Sequence, residues 1–271
     1  TRQRVTHQEI AQCDQAKHFK RRKGDIIQHG ARFGQFDKAD DRGQRRAFND
    51  LDGKADRRGD ADALVLSHQD ADHDGAAPSL RRQFDFHTVW AGQTEAYPDW
   101  QARDCRGQSW QWDGVWFEWL TLPRTEVGHT TNAQSCVLRV VTQGQAVLIP
   151  ADTGKEEETA LLQQYGEQLH STVLLLGHHG SSGSNSSAWL NAVAPKLAIA
   201  SSGFRNSYHH PTAAVQTRLR AHGIKLYRTD AQGSVALLLD TDLTVLSRSD
   251  TGFWWQRKPF STIDTVGFTA Q

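Results

Sequence analysis

The sequence predicts a layered α/β fold, in which short buried strands alternate with helices. Beyond about residue 60, short apolar runs are separated by residues that favour turns, chiefly glycine, asparagine and aspartate. Polar clusters rich in histidine and aspartate directly follow some of these runs, which is where α/β folds place their chemistry. A chain of 271 residues can also bury a sizeable core as one domain.

The first part of the chain differs in composition from the rest. Residues 1–60 contain basic stretches such as Lys-Arg-Arg-Lys at positions 20–23 and have almost no alternating apolar pattern. Such a segment does not resemble a packed sheet. We therefore predict a degenerate or poorly ordered N-terminal part over residues 1–60, the domain proper over residues 61–250, and a C-terminal tail over residues 251–271.

The elements of the domain follow from local patterns. The first is a strand over residues 63–66, which ends at Ser67. Aromatic side chains alternate over residues 110–119 around Asp113-Gly114, which is a strong signal for a β-hairpin that buries one face. Further strands are predicted over residues 136–142, 146–150, 173–176, 197–200, 227–240 and 243–247, and helices over residues 156–165, 187–193 and 212–222.

Composition excludes some classes of protein. Lysine and arginine total 31 and aspartate and glutamate total 31, so no overall positive field favours a nucleic acid or a membrane surface. A local basic patch is compatible with this balance. The apolar runs are far shorter than the roughly 20 residues that span a bilayer, and no signal peptide is evident. We expect a soluble chain. Because it contains no methionine, we also expect it to be a segment of a longer protein.

The three cysteines are Cys13, Cys105 and Cys136. They are widely spaced and odd in number, which argues against a disulfide framework and against a cysteine-based zinc site.

The strongest chemical signal lies in residues 67–75, Ser-His-Gln-Asp-Ala-Asp-His-Asp-Gly. Imidazole nitrogens and carboxylate oxygens are the ligands that borderline or hard divalent ions prefer. In a sharply turning loop, His68 and Asp70 can face one ion while Asp72 and His73 face a second ion about 4 Å away. Two such ions activate a shared water for attack on a phosphoryl or acyl group. The alternative is an exposed acidic loop without function.

Two later segments add candidate residues. Asp152 follows the strand 146–150, although an N-cap of the next helix is an alternative for it. His178 and His179 follow the strand 173–176; one can bind metal while its neighbour contacts a phosphate or donates a proton, and the pattern does not decide which. Ser181 can donate a hydrogen bond nearby. A purely structural pair of histidines is the alternative.

The motif His68-x-Asp70-x-Asp72-His73 resembles the metal motif of the metallo-β-lactamase superfamily, with aspartate in place of its second histidine. This variant resembles the hydrolase domain at the C-terminal end of ComEC-type competence proteins. The similarity extends in order over about residues 62–240. It continues through residues 105–108, 112–115, 132–140, 149–152, 176–181, 206–211 and 228–233.

The resemblance implies a four-layer αββα sandwich that holds two divalent ions, zinc or manganese. We expect its N-terminal strands to be degenerate or missing here, because residues 1–29 lack strand alternation and Gln28 occupies the position of an expected aspartate. The implied metal ligands are His68, Asp70, Asp72, His73, Asp152 and His178. The implied catalytic residues are Asp72, His179 and His210, and the substrate contacts are Ser181, Arg205 and Asn206.

Some of these assignments have local alternatives. Pro211 after His210 also signals the first turn of a helix, and Arg205 and Asn206 also suit a solvated turn. A further ligand is expected between residues 120 and 140, where His129 and Asn132 compete.

The resemblance implies a phosphodiesterase or nuclease that acts on single-stranded DNA during DNA uptake. Its partner would be the membrane channel portion of the same parent protein, and it would lie at the inner membrane, on the periplasmic side. One alternative is a small-molecule phosphoesterase or lactonase of the same superfamily. The other is a catalytically inactive DNA-binding module.

Overall fold

The computed structural model describes residues 10–11, 59–126, 128–142, 144–239, 242–247 and 261–266. The chain forms two compact units, Thr1–Asp104 and Cys105–Gln271. Residues 1–9, 12–58, 248–260 and 267–271 lie outside this description. The predictions of a degenerate N-terminal part, of Gln28 at an aspartate position and of a C-terminal tail therefore concern residues mostly outside the described part of the chain.

The first unit contains a parallel four-stranded sheet in the order β1-β2-β3-β4. Its elements are β1 (Ile10–Ala11), β2 (Gly59–Leu66), α1 (Ala77–Gln83), β3 (Phe84–Ala91) and β4 (Arg103–Asp104). The predicted strand 63–66 is present and begins earlier, because pairing with β3 extends it back to Gly59. Leu64, Leu80 and Val89 belong to the core of this unit, which lies between the sheet and α1.

The second unit contains a mixed seven-stranded sheet, in which β5 to β8 are antiparallel and β8 to β11 are parallel. The spatial order is β11-β10-β9-β8-β7-β6-β5. Its strands are β5 (Trp110–Trp112), β6 (Val115–Trp119), β7 (Leu138–Val141), β8 (Ala146–Ile149), β9 (Val173–Leu175), β10 (Leu197–Ala200) and β11 (Lys225–Arg228).

Helices cover this sheet, and a second sheet follows it. The helices are α2 (Lys155–Tyr165), α3 (Ser187–Val193), α4 (Ala213–Ala221) and α5 (Thr229–Gln232). The antiparallel second sheet contains β12 (Val235–Leu239), β13 (Leu243–Ser247) and β14 (Ser261–Val266). Leu148 and Leu174 of the seven-stranded sheet and Trp189 of α3 are fully buried in one apolar core.

The predicted hairpin is confirmed. Asp113 and Gly114 both have positive φ, 45° and 84°, which matches the twist of a two-residue turn. The rings of Trp110 and Phe117 stack across the two strands at 4.9 Å. These aromatic side chains therefore pack against one another on one face of the sheet.

The single strand predicted over residues 227–240 is wrong, because β11 ends at Arg228 and a short helix precedes β12. Arg228 binds Asp230 with two hydrogen bonds, and this contact raises the pKa of the arginine. The side chain of Gln232 accepts the backbone N–H of Arg228. Gly233 then ends the helix with φ 68°.

The cysteine count argued against a disulfide framework and did not predict the one disulfide that Cys105 and Cys136 form. Both are buried. The hydroxyl of Thr121 contacts the Cys105 sulfur and accepts the backbone N–H of Val137, so this threonine lies between the two segments. Strand pairing thus brings together cysteines that are 31 residues apart in sequence.

No helix among the described residues is long and apolar enough to cross a membrane.

Candidate metal centre

In the first unit, the loop of residues 67–75 follows the carboxyl end of β2. The backbone N–H groups of His73 and Asp74 both donate to the carbonyl of Asp70, which coils the loop tightly. Gly75 is required at its end, since a Cβ there would lie 2.3 Å from the Ala71 carbonyl oxygen. We call residues 68–73 the motif loop.

The coil brings the two imidazoles of the motif loop together. The ring centroids of His68 and His73 are 4.1 Å apart, and His68 is fully buried. The Ser67 hydroxyl lies 3.1 Å from Nδ1 of His68 and 3.2 Å from Nδ1 of His73. An oxygen at Nδ1 orients the ring and leaves Nε2 as the metal-binding nitrogen, which is a common arrangement of metal-binding histidines.

A carboxylate lies beside the first imidazole. Nε2 of His68 is 3.6 Å from Oδ2 of Asp70. Two ligand atoms at this separation can bind one ion with ordinary bond lengths of about 2.1 Å each. A nitrogen of His68 and an oxygen of Asp70 can therefore both reach a single ion.

Asp74, directly after the motif loop, has a different contact. Tyr97 donates its hydroxyl to Oδ2 of Asp74 at 2.8 Å. Burial and the neighbouring Asp74 raise the pKa of Tyr97 above its ordinary value of 10.0. Sequence reasoning missed Tyr97, which lies 23 residues away in a stretch with no recognisable motif. This hydrogen bond joins Asp74, the residue after the motif loop, to the core of the unit.

In the second unit, Asp152 follows β8 and is 3 % exposed. The preceding Ala151 has φ 50°, which turns the chain sharply, and the carbonyl of Ala151 accepts the N–H of His178. Helix α2 has Gly154 as its N-cap, with Glu157 accepting the Gly154 N–H. The alternative role of Asp152 as a helix cap is therefore not observed.

Two imidazoles face the Asp152 carboxylate. Nε2 of His178 and Nε2 of His179 each lie 3.7 Å from Oδ2 of Asp152. Both histidines have positive φ, 50° and 55°, which is a strained backbone conformation for residues other than glycine. The resulting tight turn directs both rings toward Asp152. Strained backbone of this kind is concentrated at functional sites. Gly180 permits the close approach of Pro211, which would lie 2.5 Å from a Cβ at that position.

The two histidines differ in their surroundings. Nδ1 of His179 is 2.8 Å from the carbonyl oxygen of Ser201, and its side chain is 10 % exposed, whereas that of His178 is 37 % exposed. A backbone carbonyl at Nδ1 is a typical partner of a metal-binding imidazole. Geometry thus allows either histidine to share an ion with Asp152.

His210 joins this cluster. Its ring centroid lies 5.9 Å from that of His178 and 6.4 Å from that of His179. Burial, together with the nearby His179 and His178, lowers the pKa of His210 below its ordinary value of 6.5. We call Asp152, His178, His179 and His210 the Asp152 cluster.

The other predicted residues have varied surroundings. Ser181 accepts the N–H of Gly183, and Arg205 is exposed. The Asn206 amide accepts the N–H of His210 and donates to the His210 carbonyl, so it braces the loop. Of the positions between residues 120 and 140, Ser135 accepts the N–H of Asp152, whereas His129 is exposed.

A buried glutamate supports the histidine turn. Glu158 of α2 accepts the backbone N–H groups of Asn185 and Ser186. The Asn185 amide in turn accepts the N–H of Gly177 and donates to its carbonyl, directly before His178. Sequence reasoning missed this network; its only signal is a glutamate three residues before the buried Leu161 of the same helix.

Comparison with known proteins identifies the family. The family model of the metallo-beta-lactamase superfamily matches residues 39–203. This chain belongs to the metallo-beta-lactamase superfamily. The predicted fold class, the αββα sandwich, is confirmed by this match, together with the mixed α and β content and the several sheets. The superfamily also supports the broader prediction of a metal-dependent hydrolase.

Two relatives confirm the resemblance to ComEC-type competence proteins. The chain is 48% identical over 200 residues to competence protein ComA of Neisseria gonorrhoeae, which covers 73% of this chain and 28% of that protein. It is 30% identical over 190 residues to ComE operon protein 3 of Bacillus subtilis, which covers 64% of this chain and 24% of that protein. The chain thus spans about a quarter of the length of these curated relatives.

A solved structure is also similar. Igni18, a metallo hydrolase from the archaeon Ignicoccus hospitalis, matches 66% of this chain and 81% of its own length, with 17% sequence identity and a TM-score of 0.45.

Proposed function

We propose that this chain is a metal-dependent phosphodiesterase that cleaves single-stranded DNA during competence-linked DNA uptake. The observation that carries the proposal is the Asp152 carboxylate, which lies 3.7 Å from each of two imidazole nitrogens. Buried carboxylate and imidazole ligands suit a divalent ion. The name of one relative, competence protein ComA, supports competence as the setting.

We propose that the chain binds two divalent ions, zinc or manganese. The proposed ligands are His68, Asp70, Asp72, His73, Asp152 and His178. When bound, such ions lower the pKa of a bound water and polarise a phosphoryl oxygen.

The remaining roles belong to side chains. Asp72 would accept a proton from the attacking water, in addition to its role as a ligand. His179 would contact a phosphoryl oxygen. His210 would remain neutral near neutral pH because its pKa is lowered, and its imidazole would donate a hydrogen bond to the leaving oxygen. Ser181, Arg205 and Asn206 would contact the phosphate backbone.

The parent protein would include a membrane channel that delivers the strand. In this proposal the domain lies at the inner membrane, on its periplasmic side. Relatives that are about four times as long as the matched segment support a longer parent protein.

The decisive experiment replaces two residues of the motif loop. Asp72→Ala and His73→Ala should each reduce cleavage of an end-labelled single-stranded oligonucleotide in Mn²⁺ more than about 100-fold. The matched control is Asp74→Asn, because Asp74 lies in the same turn but accepts the Tyr97 hydroxyl. Unchanged cleavage by both alanine variants would refute the proposal.

A parallel assay separates the rival activities. The purified chain is offered bis(p-nitrophenyl) phosphate, a lactone and the oligonucleotide, each with Zn²⁺ and with Mn²⁺, and bound metal is counted. We expect about two ions per chain and the highest turnover on the oligonucleotide. Preference for the lactone, or the absence of bound metal, would favour the alternative functions.

A further inference from the structure

The loop that leads to His210 exposes two aromatic rings. Phe204 is 76% exposed and Tyr208 is 77% exposed. Within the described residues, the other exposed large apolar side chains are Trp116 and Leu238, and both are less exposed. Exposure of two rings within five positions is costly in water unless a ligand covers them.

The loop is held in one shape by its own hydrogen bonds. The N–H of Asn206 donates to the carbonyl of Gly203, and the N–H of His209 donates to the carbonyl of Asn206. The Asn206 amide also donates to Gly203 and binds both backbone groups of His210. Arg205 and His209 adopt positive φ, each 56°. The two rings are therefore presented by an ordered loop.

The exposed rings are continuous with the Asp152 cluster. The ring of Tyr208 stacks on that of His210 with centroids 5.6 Å apart and an interplanar angle of 25°. His210 in turn lies beside His178. A flat ligand group that stacks on Tyr208 would thus be close to the proposed cleavage site.

A cation accompanies the second ring. The guanidinium carbon of Arg205 lies 5.2 Å from the centroid of the Phe204 ring. Exposed aromatic faces combined with arginine are the typical surface for unpaired nucleobases, because every base has a π-face and is attached to a phosphate. The loop exposes rings and polar groups and no aliphatic side chain, which is unsuited to insertion into a lipid bilayer.

We propose that Phe204 and Tyr208 form a stacking platform for two unpaired bases of a single-stranded nucleic acid, with Arg205 contacting the phosphate that joins them. This inference depends on the proposed function in one respect only, namely that the bound strand is then cleaved. In a duplex the bases already stack on one another, so the platform selects single strands.

The test measures binding without cleavage. A fluorescein-labelled oligo(dT) is titrated with the full chain in chelator, and fluorescence anisotropy gives the dissociation constant. Phe204→Ala and Tyr208→Ala should each weaken binding about 5- to 150-fold. Tyr208→Phe and Phe204→Trp keep an aromatic face and should retain affinity. Trp116→Ala, which removes an exposed ring from β6, is the matched control and should have no effect.

Other results would overturn the platform. It fails if both alanine variants bind oligo(dT) like the parent chain, if the parent chain does not bind it, or if a labelled duplex loses affinity as much as the single strand. Thermal unfolding of each variant checks that the fold is intact. If the chain binds oligo(dT) through these rings but does not cleave it, the nuclease proposal is refuted and the stacking platform stands. If the chain cleaves single-stranded DNA but the alanine variants bind it normally, the platform is refuted and the nuclease proposal stands.

Discussion

Glu158 shows how a single buried carboxylate supports the histidine turn. Burial raises its pKa above the ordinary value of 4.5, while the N–H groups of Ser186 and Asn185 and the charge of Arg218 oppose this shift. The folded state therefore binds the proton more tightly than the unfolded state. Its contribution to the free energy of unfolding is complete at low pH and is lost as the pH rises through the raised pKa.

Glu158→Gln should remove this pH dependence. We expect the free energy of unfolding of the parent chain to fall relative to that of the variant as the pH rises above 4.5, by at most about 1.4 kcal/mol per pH unit. Urea unfolding of the parent chain and of Glu158→Gln across this pH range measures the two free energies. Glu167→Gln, at an exposed position nearby, is the control. A difference between parent and Glu158→Gln that does not change with pH would contradict the assignment.

At the scale of elements, the disulfide joins the segment before β5 to the segment before β7. It closes a loop of 31 residues and so restricts the unfolded chain. The carbonyl of Leu122 also accepts a hydrogen bond from Arg106, next to Cys105. The neighbouring Ser135 contacts the Asp152 backbone. The cross-link thus stabilises the base of the Asp152 cluster.

Replacing both Cys105 and Cys136 by serine should lower the free energy of unfolding by about 3–4 kcal/mol, on the chain-entropy account. Denaturant unfolding with and without dithiothreitol measures this. The reductant should destabilise the parent chain and Cys13→Ser, but not the double variant. If dithiothreitol leaves unfolding of the parent chain unchanged, the two cysteines do not form a stabilising bond in solution.

At the scale of the whole molecule, bound metal should stabilise the chain, because ions that bind the folded state alone shift the unfolding equilibrium. With free Mn²⁺ at about 100 times its Kd, the expected gain is about 2.7 kcal/mol, or roughly 5–10 °C in Tm. Removal of metal by a chelator should reverse it. Mn²⁺ should raise the Tm of His73→Ala less than it raises the Tm of Asp74→Asn. Equal increases in Tm for these two variants would argue that the motif loop does not bind the metal.

Much of the fold could be predicted from local patterns. The strand 197–200, the helix 187–193 and the hairpin at Asp113-Gly114 were expected and are present. Apolar periodicity and turn residues act over a few positions, so local sequence is enough to identify these elements. The strand expected over residues 227–240 failed, because the contacts of Asp230 and Gln232 with Arg228 override an apolar pattern.

The sequence by itself determined several strands and helices of the second unit, the family and the residues of the motif loop, because these patterns lie within short stretches of the chain. It did not predict α1 or β3 of the first unit. Only the tertiary structure decided that Cys105 meets Cys136, that Tyr97 holds Asp74, and that both His178 and His179 face Asp152. Each of these contacts joins segments that are distant in sequence. Their proximity depends on how the strands pair and pack, and no local pattern encodes that arrangement.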